Sequence, residues 1–238
     1  MFLYALVMSL PIAVHSQQVK KTRAQYRDRI SINEGWKFKR YTADPDKLIY
    51  DERPMVTDRN DNVVADTKPT EAVSVEVSDK VLKRWILPSA NDFIKDPAKQ
   101  HQRPPGNPGN SFSFVQNNFN DNNWESVNLP HDWAIKGPFY EGTRAEVGGG
   151  MGRLPSQGVA WYRRKLDITN ADKDKFIYLD IDGAMSYAMV WLNGNLVGGW
   201  PYGYNSFRLD LTPYIKPGAD NQLAIRLDNP NNSARWYP

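Results

Sequence analysis

The chain has no cysteine among its 238 residues. That excludes a disulfide framework, a thiolate nucleophile, a cysteine-ligated zinc site and a lipoprotein anchor, so packing must supply the stability. Histidine is almost as scarce. Of the three present, His15 falls in an apolar N-terminal segment, and His101 and His131 form no helical His-x-x-x-His ligand motif. No metal and no cofactor are expected. A charge bias is also lacking: 30 Lys and Arg stand against 27 Asp and Glu, for a net charge of +3. With no basic tract or recognition helix, nucleic acid is not expected as a partner. The loop Gly148-Gly149-Gly150-Met151-Gly152-Arg153 lacks the Lys-Ser/Thr ending and the following helix of a phosphate cradle. It reads instead as a flexible loop.

The longest apolar run, Phe2 to Val14, is too short to span a bilayer comfortably. Val14-His15-Ser16 and then Gln17-Gln18 follow it, so residues 1–16 read as a secretory signal peptide cleaved after Ser16. The other reading of this run is a buried first strand. Residues 17–29 are polar and charged and are expected to be a disordered linker. Export without cysteine points to a secreted or periplasmic bacterial protein, with no membrane attachment after cleavage.

What the sequence has in abundance is aromatic residues and short alternating segments. Its 8 Trp, 12 Tyr and 9 Phe suit a sandwich core and, in places, the stacking face of a sugar pocket. Trp36 and Phe38 flanking Lys37 predict a half-buried first strand. From Tyr41 to about Asn110 the pattern loosens into charged and proline-bearing sequence, including the block Arg103-Pro104-Pro105-Gly106-Asn107-Pro108-Gly109. This stretch is expected to be a long irregular insertion at the surface, with one short strand embedded at residues 72–77.

The second half is more regular. Strands are expected over residues 161–168 and 176–181, and over 187–192, which is nearly all apolar and therefore buried on both faces. Asn193-Gly194 supplies the turn of a tight hairpin returning through Leu196 and Val197. Phe207, Leu209 and Leu211, and then Leu223, Ile225 and Leu227, alternate with polar residues on either side of a Pro217-Gly218 turn. Short strands, glycine and proline punctuation and no long helical period predict an all-β sandwich over residues 30–238.

Three stretches carry a resemblance. They are Asn120-Asp121-Asn122-Asn123-Trp124-Glu125-Ser126-Val127-Asn128-Leu129-Pro130-His131-Asp132-Trp133, then Gly158-Val159-Ala160-Trp161-Tyr162-Arg163-Arg164, then Asp180-Ile181-Asp182-Gly183 through Val190-Trp191-Leu192-Asn193-Gly194. In order and spacing they resemble the sugar-binding jelly-roll domain of family 2 glycoside hydrolases of the β-galactosidase type, from about Trp124 to the C-terminus. The resemblance implies a jelly-roll β-sandwich like galactose-binding domains, lying before the enzyme's catalytic domain. The final residues, Ser233-Ala234-Arg235-Trp236-Tyr237-Pro238, resemble the start of a segment that leads into an immunoglobulin-like domain in that family.

The resemblance also assigns roles. Glycoside hydrolysis generally uses two carboxyl groups, about 5–5.5 Å apart in retaining enzymes and roughly 6.5–9.5 Å apart in inverting ones. In the family these are glutamates of a later (β/α)₈ barrel, so no catalytic residue is assigned here, although Glu125, Glu141 and Glu146 are present. An adjacent His131-Asp132 pair is the alternative catalytic element. In extended chain such neighbours point to opposite faces, which favours structural use. Family members place residues after the Asp-Gly turn and at the domain's end near the galactose pocket. Here those positions are Met185, Ser186, Arg235 and Trp236. Ser186, Arg235 and Trp236 are the candidate substrate-binding residues, while Met185 departs from the polar residue of some relatives and suits packing. Arg235 and Trp236 serve equally as a domain interface.

The leading expectation is thus a non-catalytic domain of a β-galactosidase-like enzyme of carbohydrate metabolism. Its partners would be a β-galactoside or related glycan and the enzyme's remaining domains. The alternatives are a stand-alone carbohydrate-binding module and an adhesion or assembly domain with no sugar site.

Overall fold

The computed structural model describes residues 27–41, 45–46, 48, 82–86, 91, 93–139, 141–142, 154 and 158–229. The chain divides into two compact units, Met1–Ile32 and Asn33–Pro238. All the secondary structure among the described residues belongs to the second. Residues 1–16, expected to be a signal peptide, the strand expected at 72–77, most of the linker expected at 17–29, and Arg235 and Trp236 lie outside the described residues.

The strands are β1 (Trp36–Tyr41), β2 (Glu125–Val127), β3 (Gly158–Leu166), β4 (Tyr178–Ile181), β5 (Ala188–Leu192), β6 (Asn195–Trp200), β7 (Phe207–Asp210) and β8 (Asn221–Asn229). The α-helix among the described residues, α1, is a single turn at Lys83–Ile86. A six-stranded antiparallel sheet runs β2-β1-β3-β8-β5-β6, and β4 pairs with β7 in a second, two-stranded antiparallel sheet. The fold is the expected all-β sandwich.

Local chemistry explains the hairpin between β5 and β6. Asn193 and Gly194 both adopt positive φ, 54° and 78°, the pair of left-handed residues that a two-residue turn needs to match strand twist. The Asn193 side chain then ties the turn to β8. It donates to the Tyr214 carbonyl and to Asn221 Oδ1, and it accepts from the Gln222 amide.

The large sheet is buried on both faces. One face carries Phe38, Tyr162, Ile225 and Val190, in register across β1, β3, β8 and β5. Gly198 of β6 pairs with Val190 on this face, and a Cβ there would stand 2.9 Å from Leu209 Cδ2. The glycine therefore lets β7 and the small sheet close onto the large one.

The other face corrects the reading of residues 41–110 as a surface excursion. Leu48, Leu82, Trp85 and Ile86 are buried and share a core with Trp161, Met189, Trp191, Leu196 and Ala224. These described residues of the stretch pack on the sheet. Leu48, Leu82, Trp85 and Ile86 lie outside the alternating stretch at 72–77 and among charged residues, so the sequence pattern conceals them.

The same face carries two buried arginines, and neither Gln222 nor Arg226 faces solvent as alternation along β8 suggests. Arg226 is fully buried, at 0% side-chain exposure, against Asp46 at 1%. Its Nε donates to both Asp46 oxygens at 3.0 Å, Nη2 donates to the Leu48 carbonyl and Nη1 to Asp228 Oδ2, both at 3.1 Å. Asp46 also accepts from Trp161 Nε1 at 2.8 Å and from the Leu48 amide at 3.0 Å. Burial acts to lower the Arg226 pKa, but Asp46 and Asp228 outweigh it and the net shift is upward.

Arg163, on β3, is met in the same way. Its Nε donates to Asp121 Oδ2 at 2.7 Å, Nη1 to the Phe114 carbonyl and Nη2 to the Gln116 carbonyl. Burial lowers its pKa while Asp121 opposes the shift.

Between the two arginines' neighbours, the Trp161 and Trp191 rings lie 5.4 Å apart, and Trp191 Nε1 donates to the Pro108 carbonyl at 3.1 Å. Trp191 is fully buried. Trp191→Ala is expected to cost about 3–5 kcal/mol, the range for deleting a buried indole. Urea unfolding measures it, and a loss below about 1 kcal/mol would contradict the packing described here.

Candidate functional site

The Asp182-Gly183 turn after β4 opens a loop that ends at β5 and lies beside the C-terminal end of β8. Ser186 is bound there by its backbone and its side chain. Its Oγ donates to the Asp228 carbonyl at 2.7 Å, and the Asp228 amide donates back to the Ser186 carbonyl at 3.0 Å. Tyr187 follows with φ of 47°, and its amide donates to the Pro201 carbonyl at 3.0 Å.

A second loop, residues 201–206, packs on the first. A Cβ on Gly203 would stand 2.6 Å from Met185 Cβ, and one on Gly183 would stand 2.8 Å from the Gly203 carbonyl oxygen. The loops meet backbone to backbone, and Met185 packs at their junction. Ser206 Oγ donates to the Asp182 carbonyl at 3.1 Å. Tyr202 and Tyr204 flank Gly203 with ring centroids 5.4 Å apart, and Tyr204 is 55% exposed.

Of the three residues expected from sequence, Ser186 is placed at this end of the sheet, while Arg235 and Trp236 lie outside the described residues. The sequence reading did not single out Asp228. Its backbone holds Ser186, and its carboxylate accepts from Arg226 Nη1 at 3.1 Å. A continuous polar chain thus runs from Asp46 through Arg226 and Asp228 to Ser186. No signal in the local sequence announces it, because Asp46 and Arg226 are 180 positions apart. Chemically, the half-buried serine hydroxyl, the tethered carboxylate and the flanking tyrosines offer hydrogen-bonding groups beside aromatic surface, a combination suited to a polyhydroxylated ring.

His131 and Asp132 do not form a catalytic pair, and Glu146 lies outside the described residues. His131 Nδ1 lies 2.9 Å from the Tyr162 hydroxyl, whereas Asp132 Oδ1 accepts from the Ala134 amide at 2.8 Å, capping the loop. The two side chains serve different partners. Tyr162 is pushed up well beyond the usual phenol range by burial, with Asp132 and Glu125 adding to the shift. Glu125 Oε1 accepts from Lys136 Nζ at 2.7 Å, and this hydrogen bond holds its carboxyl below the usual carboxylate value. A general acid of glycoside hydrolysis needs the opposite shift. Among the described residues, no group of three His, Cys, Asp or Glu could hold a metal ion.

Residues 129–236 match the family model described as the glycosyl hydrolase 2 galactose-binding domain-like domain. Over these residues the chain is similar to the galactose-binding-like domain of family 2 glycosyl hydrolases. It is similar to a β-galactosidase of Bacteroides ovatus, 42% identical over 130 residues that make up 54% of this chain and 15% of that protein. It is also similar to a β-glucuronidase of Formosa agariphila, 29% identical over 133 residues, or 51% of this chain and 13% of that protein. A solved structure of a glycosyl hydrolase family 2 member from Bacteroides cellulosilyticus matches with a TM-score of 0.44 and 34% identity, covering 52% of this chain and 16% of that one. This chain thus spans a small part of its relatives' length. Asp46 and Asp121, the carboxylates that answer the two buried arginines, precede the galactose-binding-like match.

His131 generates a pH prediction. Burial chiefly lowers its pKa from 6.5, with Lys136 acting the same way and Glu125 and Asp132 opposing. The unfolded chain therefore takes up this proton first as pH falls. The contribution is complete above the unfolded value and is lost as pH drops through the window between the unfolded and folded pKa. His131→Phe keeps a ring against Phe38, which lies 4.6 Å away. The urea midpoint of the wild type is expected to fall more between pH 7.5 and 5.5 than that of His131→Phe. Equal slopes would contradict the shift.

Proposed function

We propose that this chain is the non-catalytic N-terminal β-sandwich of an exported, β-galactosidase-like family 2 glycoside hydrolase. In that reading the Ser186 loop shapes one edge of the galactoside pocket, and the sandwich packs on the enzyme's other domains. The supporting observation is the coincidence of the galactose-binding-like match at residues 129–236 with a rigidly tethered Ser186 at the end of the sheet. The Bacteroides ovatus relative is named a β-galactosidase and the Formosa agariphila relative a β-glucuronidase. A β-linked galactoside or a related uronide is therefore the glycan class to test. The division of labour follows from the family resemblance: catalytic glutamates in a barrel, shape and hydrogen bonds from the sandwich. Leading the protein to the envelope or medium would be the task of residues 1–16.

A stand-alone carbohydrate-binding module is the second reading. The exposed Tyr204 ring beside the Ser186 loop favours it, since a free aromatic face can stack on a pyranose.

The test combines chromogenic hydrolysis with calorimetry on the 238-residue chain. The chain alone is expected to cleave neither an aryl β-galactoside nor an aryl β-glucuronide. Robust turnover abolished by Glu125→Gln, Glu141→Gln or Glu146→Gln would overturn the accessory-domain reading. Glycan binding in the millimolar range or tighter, lost on Tyr204→Ala, would favour the module instead.

A further inference from the structure

Asn193-Gly194 is the one Asn-Gly pair in the sequence. Such a pair is chemically labile as well as turn-forming. An amide nitrogen that follows asparagine can attack the side-chain carboxamide, and glycine, lacking a Cβ, leaves that approach unscreened. A bond forms between the Gly194 nitrogen and Asn193 Cγ, closing a cyclic imide. The Cγ–Nδ2 bond breaks, and Nδ2 leaves as ammonia with the proton that the Gly194 amide gives up. Water then opens the imide at either carbonyl, leaving an aspartate or an isoaspartate whose backbone runs through the former side chain.

In the folded chain the Asn193 carboxamide is held at both ends. Nδ2 donates to the Tyr214 carbonyl at 2.9 Å and to Asn221 Oδ1 at 2.8 Å, while Oδ1 accepts from the Gln222 amide at 2.9 Å and from Asn117 Nδ2 at 3.3 Å. Attack makes Cγ tetrahedral and expels Nδ2, so it has to break the bonds at both ends. Gly194 is itself buried, which shields its amide from the hydroxide that must deprotonate it. The surroundings cannot yield easily either. Asn221 is fully buried, its Oδ1 also accepts from the Lys216 amide at 2.8 Å, and its Nδ2 donates to the Lys216 and Ala219 carbonyls, both at 2.9 Å.

The product fits this network badly. In an aspartate an oxygen replaces Nδ2 and faces two acceptors, the Tyr214 carbonyl and Asn221 Oδ1. Asn221 cannot reverse its amide to offer a donor without losing its three bonds to residues 216 and 219. An isoaspartate adds a backbone carbon inside the turn, where Leu192 and Asn195 are paired across the hairpin. We propose that Asn193 is a deamidation site that the fold keeps latent, and that its conversion while the chain is unfolded is a one-way step that prevents the native hairpin from forming again. The β5–β6 turn thereby couples the chemical ageing of the chain to its folding, independently of any sugar site.

The test uses the full chain and peptide mass spectrometry, which reads conversion as the mass gained when an amide becomes a carboxylate. At mildly alkaline pH, Asn193 is expected to convert about tenfold or more slowly in the native chain than in guanidinium chloride, because reaction requires local opening. Chains held in guanidinium chloride for increasing times are then returned to buffer, and a sizing column separates native from misfolded material. The native fraction should be depleted in chains converted at Asn193. It should not be depleted in chains converted at Asn205, an exposed asparagine followed by Ser206. Made directly, Asn193→Asp should lower the urea midpoint, whereas Asn205→Asp, the same change of charge, should leave it in place. Should Asn193→Asp fail to fold, the depletion of converted wild-type chains decides. Equal conversion of Asn193 in the native and unfolded chain would overturn the proposal. So would native material as rich in converted Asn193 as the unfolded pool, or an Asn193→Asp midpoint equal to that of the wild type.

Discussion

The guanidinium of Arg226 sets the terms for the rest of the molecule. A positive charge held at 0% exposure is tolerable only if it is paired and its donors are satisfied. Asp46 supplies the charge, and the Leu48 carbonyl and Asp228 supply the remaining acceptors. Arg163 makes the same demand one strand away and is answered by Asp121 and two carbonyls. The sheet face therefore cannot be completed by apolar packing alone. It dictates where the chain before β2 must lie, and the Trp161 and Trp191 indoles, donating to Asp46 and to Pro108, lock that position at two further points.

This arrangement links the covering segment to the candidate site. Asp228 shares Arg226 with Asp46 through its carboxylate and holds Ser186 through its backbone. The loop after the Asp182-Gly183 turn is thus fixed from beneath by a buried charge and from the side by the close approach of Gly203 to Met185. A loop held in this way is preorganised, because its backbone and the Ser186 hydroxyl are already fixed by hydrogen bonds.

Legibility in the sequence followed locality. The Asn193-Gly194 hairpin was readable because the positive φ values it requires are a property of those two residues. The fully apolar β5 announced its burial on both faces. By contrast, β8 alternates apolar and polar residues as a half-exposed strand does, yet Gln222 and Arg226 are buried. Nothing near Arg226 in sequence reveals the carboxylate that neutralises it. For the same reason the 41–110 stretch looked like surface, since its core contacts are made by isolated residues such as Leu48, Leu82 and Trp85. At the site, the family resemblance pointed to Ser186 after the Asp-Gly turn and the residue type of Met185 suited packing, but the tether through Asp228 is a tertiary contact without a sequence pattern.

A mutant cycle on the buried pair tests this account most directly, with unfolding free energies measured in urea for Asp46→Ala, for Arg226→Met and for the double variant Asp46→Ala with Arg226→Met. Removing Asp46 alone leaves an uncompensated buried cation and is predicted to cost about 3–5 kcal/mol, whereas removing both charges is predicted to restore most of that loss. If Asp46→Ala costs less than about 1 kcal/mol, or if the two single effects simply add, the Arg226 charge does not govern how the chain covers its sheet.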